Sequence, residues 1–266
     1  MATQLTEKNK SEESFLGVPI KEMPRLTNKG CVLISMAGLI ERQLSVPEPV
    51  TNHWRYHKLC TGDSIAYDGQ KNAKIVLDTK LLRKISRRSK LYNGALLLSD
   101  EQWEELSGDD VLYLSAEKVE LADGRGFVKR NGVWQPKNTV VGEVWEHLSR
   151  GKNVKEYAEK RSSTSGCDGA LWLLFDRRNY TSPVMRPLVV DDPSFPFSLV
   201  YGTKSFSDSY YLLSVVPEAL SIRCGRIQGT AGTSPYREPG LEKALELNKN
   251  LQQEKLSLYQ RIFERK

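Results

Sequence analysis

The stretch SIAYDGQKNAKIVLD, residues 64–78, carries the clearest fold signal in this chain of 266 residues. Two β-prone runs, SIAY and KIVLD, flank the dipeptide Asp68-Gly69. Asp-Gly between such runs favours a tight turn, because both residues tolerate a positive φ. We therefore expect an antiparallel β-hairpin at this point of the chain.

The same turn signal recurs further along the sequence. Asp123-Gly124 separates VLYLSAEKVEL from GFVKR, and Asn131-Gly132 separates GFVKR from VWQ. Three such signals predict an antiparallel meander within residues 31–135. The apolar run ALWLLF predicts a buried strand at 170–175, and β-prone runs predict further strands at 187–190, 197–201, 209–216 and 219–224.

Helices are predicted beside this sheet. Ser99 and Gln102 form a capping-box pattern for a short helix at 100–106. An apolar stripe predicts a helix at 139–149, with Thr139 as its cap and Gly151 as its stop, and a further short helix follows at 153–161. The predicted fold class is α+β, with a predominantly antiparallel β-sheet, peripheral helices and a C-terminal α-helix.

Composition shifts divide the chain into four parts. We expect a flexible N-terminal arm at 1–14, a β-rich α+β core domain at 15–225, a Gly- and Pro-containing linker at 226–240 and a C-terminal helix at 241–266. In that helix, Glu254 interrupts an apolar coiled-coil-like pattern. Packing on its own domain and self-association or docking of a protein partner are both open for this helix.

Composition also narrows the cellular setting. The four cysteines, at 31, 60, 167 and 224, form no C-x-x-C pair, which argues against a zinc ribbon or a dense disulfide framework. The N-terminus lacks an apolar signal segment, and no apolar run is long enough to span a membrane. We expect a cytoplasmic or nuclear protein that is not secreted.

Positive charge is concentrated in one segment. The net charge is +6, and residues 79–98, TKLLRKISRRSKLYNGALLL, contain six basic residues and no acidic residue. On a helix, the first five of these would share one face, because they recur at i, i+3, i+4, i+7 and i+8. A cationic helix face without interleaved acids is typical of phosphate or polyanion binding.

The sequence therefore predicts a non-enzymatic, nucleic-acid-associated binding protein that needs no cofactor or metal. DNA and RNA both remain open as the partner, and an oligomeric viral or mobile-element accessory protein fits this description. The predicted contact residues are Lys80, Arg83, Lys84, Arg87, Arg88 and Lys90 on a basic helix over 80–90, assisted by Arg55, Lys58, Lys129 and Arg130.

Two alternatives are kept open. Asp68, Asp78 and Lys80 resemble the hairpin of PD-(D/E)xK nucleases, in which two carboxylates hold Mg²⁺ and the lysine polarises the attacking water. The competing interpretation makes Asp68 a turn residue and Asp78 a helix cap. The second alternative is a scaffold protein whose basic patch binds a protein or a membrane surface.

Aromatic and basic residues alternate in NHWRYHKLC, residues 52–60. On a strand, Trp54 and Tyr56 would share one face, where they could stack on bases or fill the core. We favour the core and leave both rings out of the predicted site. His53, His57 and Cys60 lack a fourth metal ligand nearby, and no Walker loop, G-x-G-x-x-G motif or nucleophile elbow is present.

Overall fold

The computed structural model describes residues 12–45, 59–165, 169–190, 199–202 and 210–215. The strands in these ranges are β1 (Glu12–Gly17), β2 (Val32–Leu33), β3 (Leu59–Tyr67), β4 (Ala73–Val76), β5 (Leu91–Tyr92), β6 (Ala95–Leu97), β7 (Val111–Leu114), β8 (Gly124–Arg130), β9 (Val133–Pro136), β10 (Gly169–Leu174), β11 (Val184–Val190), β12 (Leu199–Tyr201) and β13 (Tyr210–Val215). The helices are α1 (Pro19–Asn28), α2 (Met36–Ser45), α3 (Lys80–Lys84), α4 (Asp100–Glu105), α5 (Ala116–Ala122), α6 (Thr139–Ser149) and α7 (Val154–Ser165).

The strands form a single branched sheet. Its main path runs β1-β13-β3-β11-β12-β10-β8-β9, and β4 pairs with β3 and then with β7. The pairs β10–β12 and β13–β3 are parallel, whereas the other described pairs are antiparallel. The predicted α+β class with a sheet-dominated core is therefore confirmed. The predicted linker and C-terminal helix lie outside the described residues.

The core lies between the sheet and the longer helices. Strand β3 is buried along its whole length, and β11 is buried as well. The predicted apolar stripe of α6 is buried against this core, including Trp145, which is 1% exposed. The helix spans the predicted residues 139–149, but its cap is Asn138 in place of Thr139, because the Asn138 side chain accepts a hydrogen bond from the Val141 N–H at 2.8 Å.

Two of the three predicted hairpins are confirmed. Asp68-Gly69 lies in the turn between β3 and β4, and Asn131-Gly132 joins β8 to β9 with φ values of 51° and 80°. The hairpin predicted at Asp123-Gly124 is wrong, because residues 116–122 form helix α5 and Gly124 begins β8. The Ser115 hydroxyl caps that helix by accepting from the Lys118 N–H at 3.4 Å.

Helices interrupt the predicted meander more often than the sequence indicated. Short helix α4 has the predicted capping box of Ser99 and Gln102. Helices α1 and α2 precede β3, and α7 continues to Ser165, beyond its predicted end at residue 161. Residues 12–14, the last of the predicted arm, form the start of β1. None of the helices in the described ranges is long and apolar enough to cross a membrane.

The predicted basic helix over 80–90 is wrong beyond its first turn. Helix α3 ends at Lys84, and Ile85 has the extended backbone angles φ −65° and ψ 138°. Ile85 is 2% exposed and packs in a core cluster with Leu82. The helix ends where the Ile85 side chain is buried, and Arg87 and Arg88 lie in a turn rather than on a helix face.

Candidate ligand-binding groove

The predicted nucleic-acid contacts lie in separate parts of the structure. The six cations of residues 80–90 are all exposed on the segment that follows β4. Lys129 and Arg130 are exposed at the end of β8, beside the hairpin turn, where the Lys129 ammonium lies 6.0 Å from the centre of the Trp134 ring. Arg55 and Lys58 lie outside the described residues, as do Trp54 and Tyr56.

The proposed nuclease residues do not converge. Asp68 lies at the turn of the β3–β4 hairpin, whereas Asp78 follows β4 at the opposite end. The four residues of β4 and the residues that flank them separate these two carboxylates by on the order of 15 Å, too far for one shared Mg²⁺. Asp78 instead forms an exposed ion pair with Arg83 at 3.2 Å. Within the described ranges, no three His, Cys, Asp or Glu side chains are grouped so that they could hold a metal ion.

A groove of about 900 Å³ opens where the β3–β4 turn, helix α4, strand β7 and the segment before β11 meet. Aromatic rings and hydrogen-bonding side chains line this groove. The lining residues are Asp68, Gly69, Gln70, Asn72, Lys74, Asp100, Trp103, Glu104, Tyr113, Tyr180, Thr181, Ser182 and Pro183.

The β3–β4 turn forms one wall, and hydrogen bonds fix its shape. One carboxylate oxygen of Asp68 accepts from the N–H groups of Gln70 and Asn72, at 2.8 and 2.9 Å. The Asn72 side chain donates to the other oxygen at 2.6 Å and accepts from the Ala116 N–H at 3.0 Å. Asp68 is therefore a structural turn residue, and Asn72 ties the turn to the start of α5.

Trp103 and Tyr113 supply the aromatic surface near α4. The Lys74 ammonium donates to the Trp103 carbonyl at 2.7 Å and lies 4.4 Å from the centre of the indole ring. Tyr113 is the partner of Lys74 in the β4–β7 register, and the residue is 51% exposed. The indole is fixed and nearly buried, whereas the Tyr113 ring is available to a ligand.

Residues 180–183 form the opposite wall. Tyr180 stacks on Tyr67 with ring centres 6.2 Å apart, and its hydroxyl donates to the carboxylate of Asp176. Burial and that hydrogen bond raise the pKa of Tyr180 to about 12, so the hydroxyl stays protonated at neutral pH. Thr181 and Ser182 are exposed beside it. The neutral hydroxyl groups that this wall offers are those of Thr181 and Ser182, because the Tyr180 hydroxyl is engaged by Asp176 and Arg186.

The charge of the groove lining does not fit the predicted binding of a polyanion. Its lining contains three carboxylates, of Asp68, Asp100 and Glu104, and one ammonium, of Lys74. A polyanion gains nothing from such a lining, because like charges that face each other repel. A neutral ligand rich in hydroxyl groups fits these acceptors and donors better.

Sequence reasoning missed this groove. Its residues come from four separate segments between 68 and 183, and Asp68 is the one among them that the sequence predicts as a candidate site residue. Tyr113 and Lys74 are 39 positions apart and become neighbours only through the pairing of β4 with β7. No local motif marks such an arrangement.

Comparison with known proteins identifies the fold. No family model matches the sequence, and no curated protein matches it. One similar solved structure is described as "Accommodation of massive sequence variation in Nanoarchaeota by the C-type lectin fold". The two share 16% identity with a TM-score of 0.56, over 79% of this chain and 100% of the other. The described sheet and helices therefore adopt the C-type lectin fold.

The predicted function is corrected by this finding. The nucleic-acid-associated binding protein and its nuclease alternative are wrong, because the chain has the fold of a C-type lectin and its predicted nuclease carboxylates lie apart. The predicted nucleic-acid partner is wrong on the same ground. Self-association through the C-terminal helix concerns residues outside the described part of the chain.

Proposed function

We propose that this protein binds a neutral glycan in the groove between the β3–β4 turn, α4, β7 and residues 180–183. The observation that carries the proposal is the pairing of an exposed aromatic ring, Tyr113, with polar side chains around a cavity of about 900 Å³. Such a cavity has room for a small oligosaccharide. The C-type lectin fold of the similar structure supports the same ligand class.

The chemistry of a sugar matches the two parts of the groove. Sugar rings have apolar C–H faces, which pack on aromatic rings, and equatorial hydroxyls, which both donate and accept hydrogen bonds. Tyr113 offers the ring, and Glu104 and Asp100 offer charged acceptors on one face of α4, because they are four residues apart. Hydrogen bonds to charged acceptors are stronger than neutral ones, so these carboxylates would orient the sugar.

The groove is largely formed before a ligand arrives. Asp68 and Asn72 hold the turn, Lys74 holds Trp103, and Asp176 holds Tyr180. A preformed site loses less side-chain entropy when its ligand binds, so its affinity is higher for the same contacts. The similar protein is described as accommodating massive sequence variation in this fold, and a groove whose exposed residues lie on a fixed frame suits the same tolerance here.

A panel of immobilised neutral oligosaccharides, built from hexoses and N-acetylhexosamines, tests the proposal. Tyr113→Ala is expected to weaken the strongest interaction about three- to tenfold, on the order of 1 kcal/mol for one lost ring contact. Glu104→Gln is expected to weaken it as well. Both side chains are exposed, so the melting temperature should stay near that of the wild type.

Matched controls lie nearby. Leu121→Ala removes an exposed apolar side chain on α5, and Glu105→Gln removes an exposed carboxylate next to Glu104, and neither residue lines the groove. Both control variants should bind like the wild type. The proposal is wrong if the wild type binds none of the panel, or if Tyr113→Ala and Glu104→Gln bind as tightly as the controls.

A further inference from the structure

Six exposed cations, three on α3 and three between α3 and β5, form a second surface that the groove does not include. We define the basic strap as residues 80–90, which carry Lys80, Arg83, Lys84, Arg87, Arg88 and Lys90. None of these residues lines the groove. Within the described ranges, Arg83 is the one residue of these six that forms an ion pair, and its partner is Asp78.

The basic strap is held in place by buried side chains and by a helix cap. Leu82 and Ile85 are each 2% exposed and anchor it in the cluster that also contains Met23 and Leu26. The Thr79 hydroxyl caps α3 by accepting from the Leu81 N–H at 3.3 Å. These two anchors and the cap turn the charged side chains outward.

A serine turn shapes the second half of the strap. The Ser86 N–H donates to the Ser89 hydroxyl at 2.9 Å, and the Ser89 N–H donates to the Ser86 carbonyl at 2.9 Å. The Arg88 N–H donates to the Ser86 hydroxyl at 3.3 Å. Arg87 and Arg88 therefore project from a hydrogen-bonded turn, which lowers the entropy lost when they meet an anion.

We infer that the basic strap binds an anionic polysaccharide, one that carries sulfate or carboxylate groups along its chain. The choice of a carbohydrate rests on the proposed function, whereas the charge requirement rests on the strap alone. Exposed cations without interleaved acids attract a polymer with regularly spaced anions and release its counterions on contact.

The shape of the strap favours a polysaccharide over duplex nucleic acid. Reading a major groove needs a helix or a two-stranded ribbon that enters it, and α3 has only five residues before the chain bends at Ile85. A single flexible chain can follow such a bend. The large apolar side chains Leu82 and Ile85 are buried, so they are not available to insert into a bilayer.

The test uses the full chain and a heparin-type sulfated polysaccharide as probe. A triple variant, Lys84→Gln, Arg87→Gln and Arg88→Gln, should bind it more weakly than the wild type. The slope of log affinity against log salt concentration should fall by about two, since each contact to a single-stranded polyanion contributes about 0.7. Binding of a neutral oligosaccharide should not change.

The control triple variant is Lys129→Gln, Arg130→Gln and Lys155→Gln, which removes the same charge from exposed positions outside the strap. It should keep the wild-type slope. Equal losses of affinity in both triple variants would show that binding depends on net charge alone, and this result would overturn the inference. Tighter binding to duplex DNA or to anionic lipid vesicles than to the sulfated polysaccharide would overturn it too.

The two proposals fail in different experiments. If the wild type binds the sulfated polysaccharide through the strap but no neutral oligosaccharide, the groove proposal is wrong and the strap inference stands. If it binds neutral oligosaccharides and the strap variant retains the wild-type salt slope, the strap inference is wrong and the groove proposal stands.

Discussion

The carboxylate of Asp176 forms an ion pair with the guanidinium of Arg186, and both side chains are almost completely buried, at 3% and 0% exposed. The same carboxylate accepts a hydrogen bond from the Tyr180 hydroxyl and pairs with Arg178 at 3.0 Å. The Asp176 N–H donates to the Tyr67 hydroxyl at 3.0 Å. This buried cluster joins β3, β11 and the segment that forms one wall of the groove.

Replacing Asp176 is expected to destabilise the fold strongly. Asp176→Asn would leave the Arg186 charge buried without its carboxylate, and breaking a buried pair in this way costs about 3–5 kcal/mol. The free energy of unfolding in urea measures the loss. Asp78→Asn is the control, because its pair with Arg83 is 42% exposed on both sides and is worth less than about 1 kcal/mol. Similar losses for the two variants would contradict this prediction.

The buried carboxylate of Asp63 should make stability depend on pH. Burial raises the pKa of Asp63 to about 6, although hydrogen bonds from the Met36 and Asp78 N–H groups and the charge of Arg150 oppose that rise. The unfolded value is about 3.9. Because the folded pKa is the higher one, the folded state binds more protons, and the stabilisation is fully present below about pH 4 and lost as the pH rises through 6.

The Asp63→Asn variant isolates this effect. The difference of about two pKa units corresponds to on the order of 3 kcal/mol between pH 4 and pH 7. The wild type should gain that free energy of unfolding relative to Asp63→Asn as the pH falls from 7 to 4. Urea unfolding at several pH values measures the difference, and a constant difference across this range would contradict the raised pKa.

The sequence predicted the sheet-dominated α+β class because its turn signals act locally. Asn131-Gly132 forms its turn with both residues at positive φ, and Asp68 shapes its own turn by accepting hydrogen bonds from the N–H groups of Gln70 and Asn72. Asp123-Gly124 has the same composition, yet the capped helix α5 precedes it and no hairpin forms. Local turn chemistry permits a hairpin, but the segments on both sides must also be strands.

The candidate site was not predictable from local patterns. The basic run at 80–88 has helical spacing, but burial of Ile85 ends the helix after five residues. The groove depends on which strands pair, since β4 lies between β3 and β7 and brings Lys74 beside Tyr113. Charge clustering identified an exposed surface, whereas the concave site followed from tertiary pairing.

Cys60 should resist thiol reagents in the folded protein. Its side chain is fully buried, and burial raises the pKa of the thiol to about 12, so almost no thiolate exists at pH 8. Iodoacetamide followed by peptide mass spectrometry should find Cys60 unmodified under native conditions and modified in urea. A cysteine introduced at the exposed position Ser107 should react under native conditions. Rapid native labelling of Cys60 would show that β3 opens readily.

Gly69 should be essential for the shape of the groove. A Cβ at this position would lie 2.7 Å from the carbonyl oxygen of Tyr180, so the β3–β4 turn and the opposite wall must move apart in Gly69→Ala. Both walls contribute lining residues, so we expect weaker binding of neutral oligosaccharides.

The matched control is Gly142→Ala, within helix α6. A Cβ there would meet the Pro136 side chain at an ordinary 3.6 Å, and alanine in place of a helical glycine stabilises by about 0.5–1 kcal/mol. Gly142→Ala should therefore raise the melting temperature and keep wild-type glycan binding. Unchanged binding in Gly69→Ala would show that the turn does not set the width of the groove, because the clash with the Tyr180 carbonyl would then be relieved away from the ligand.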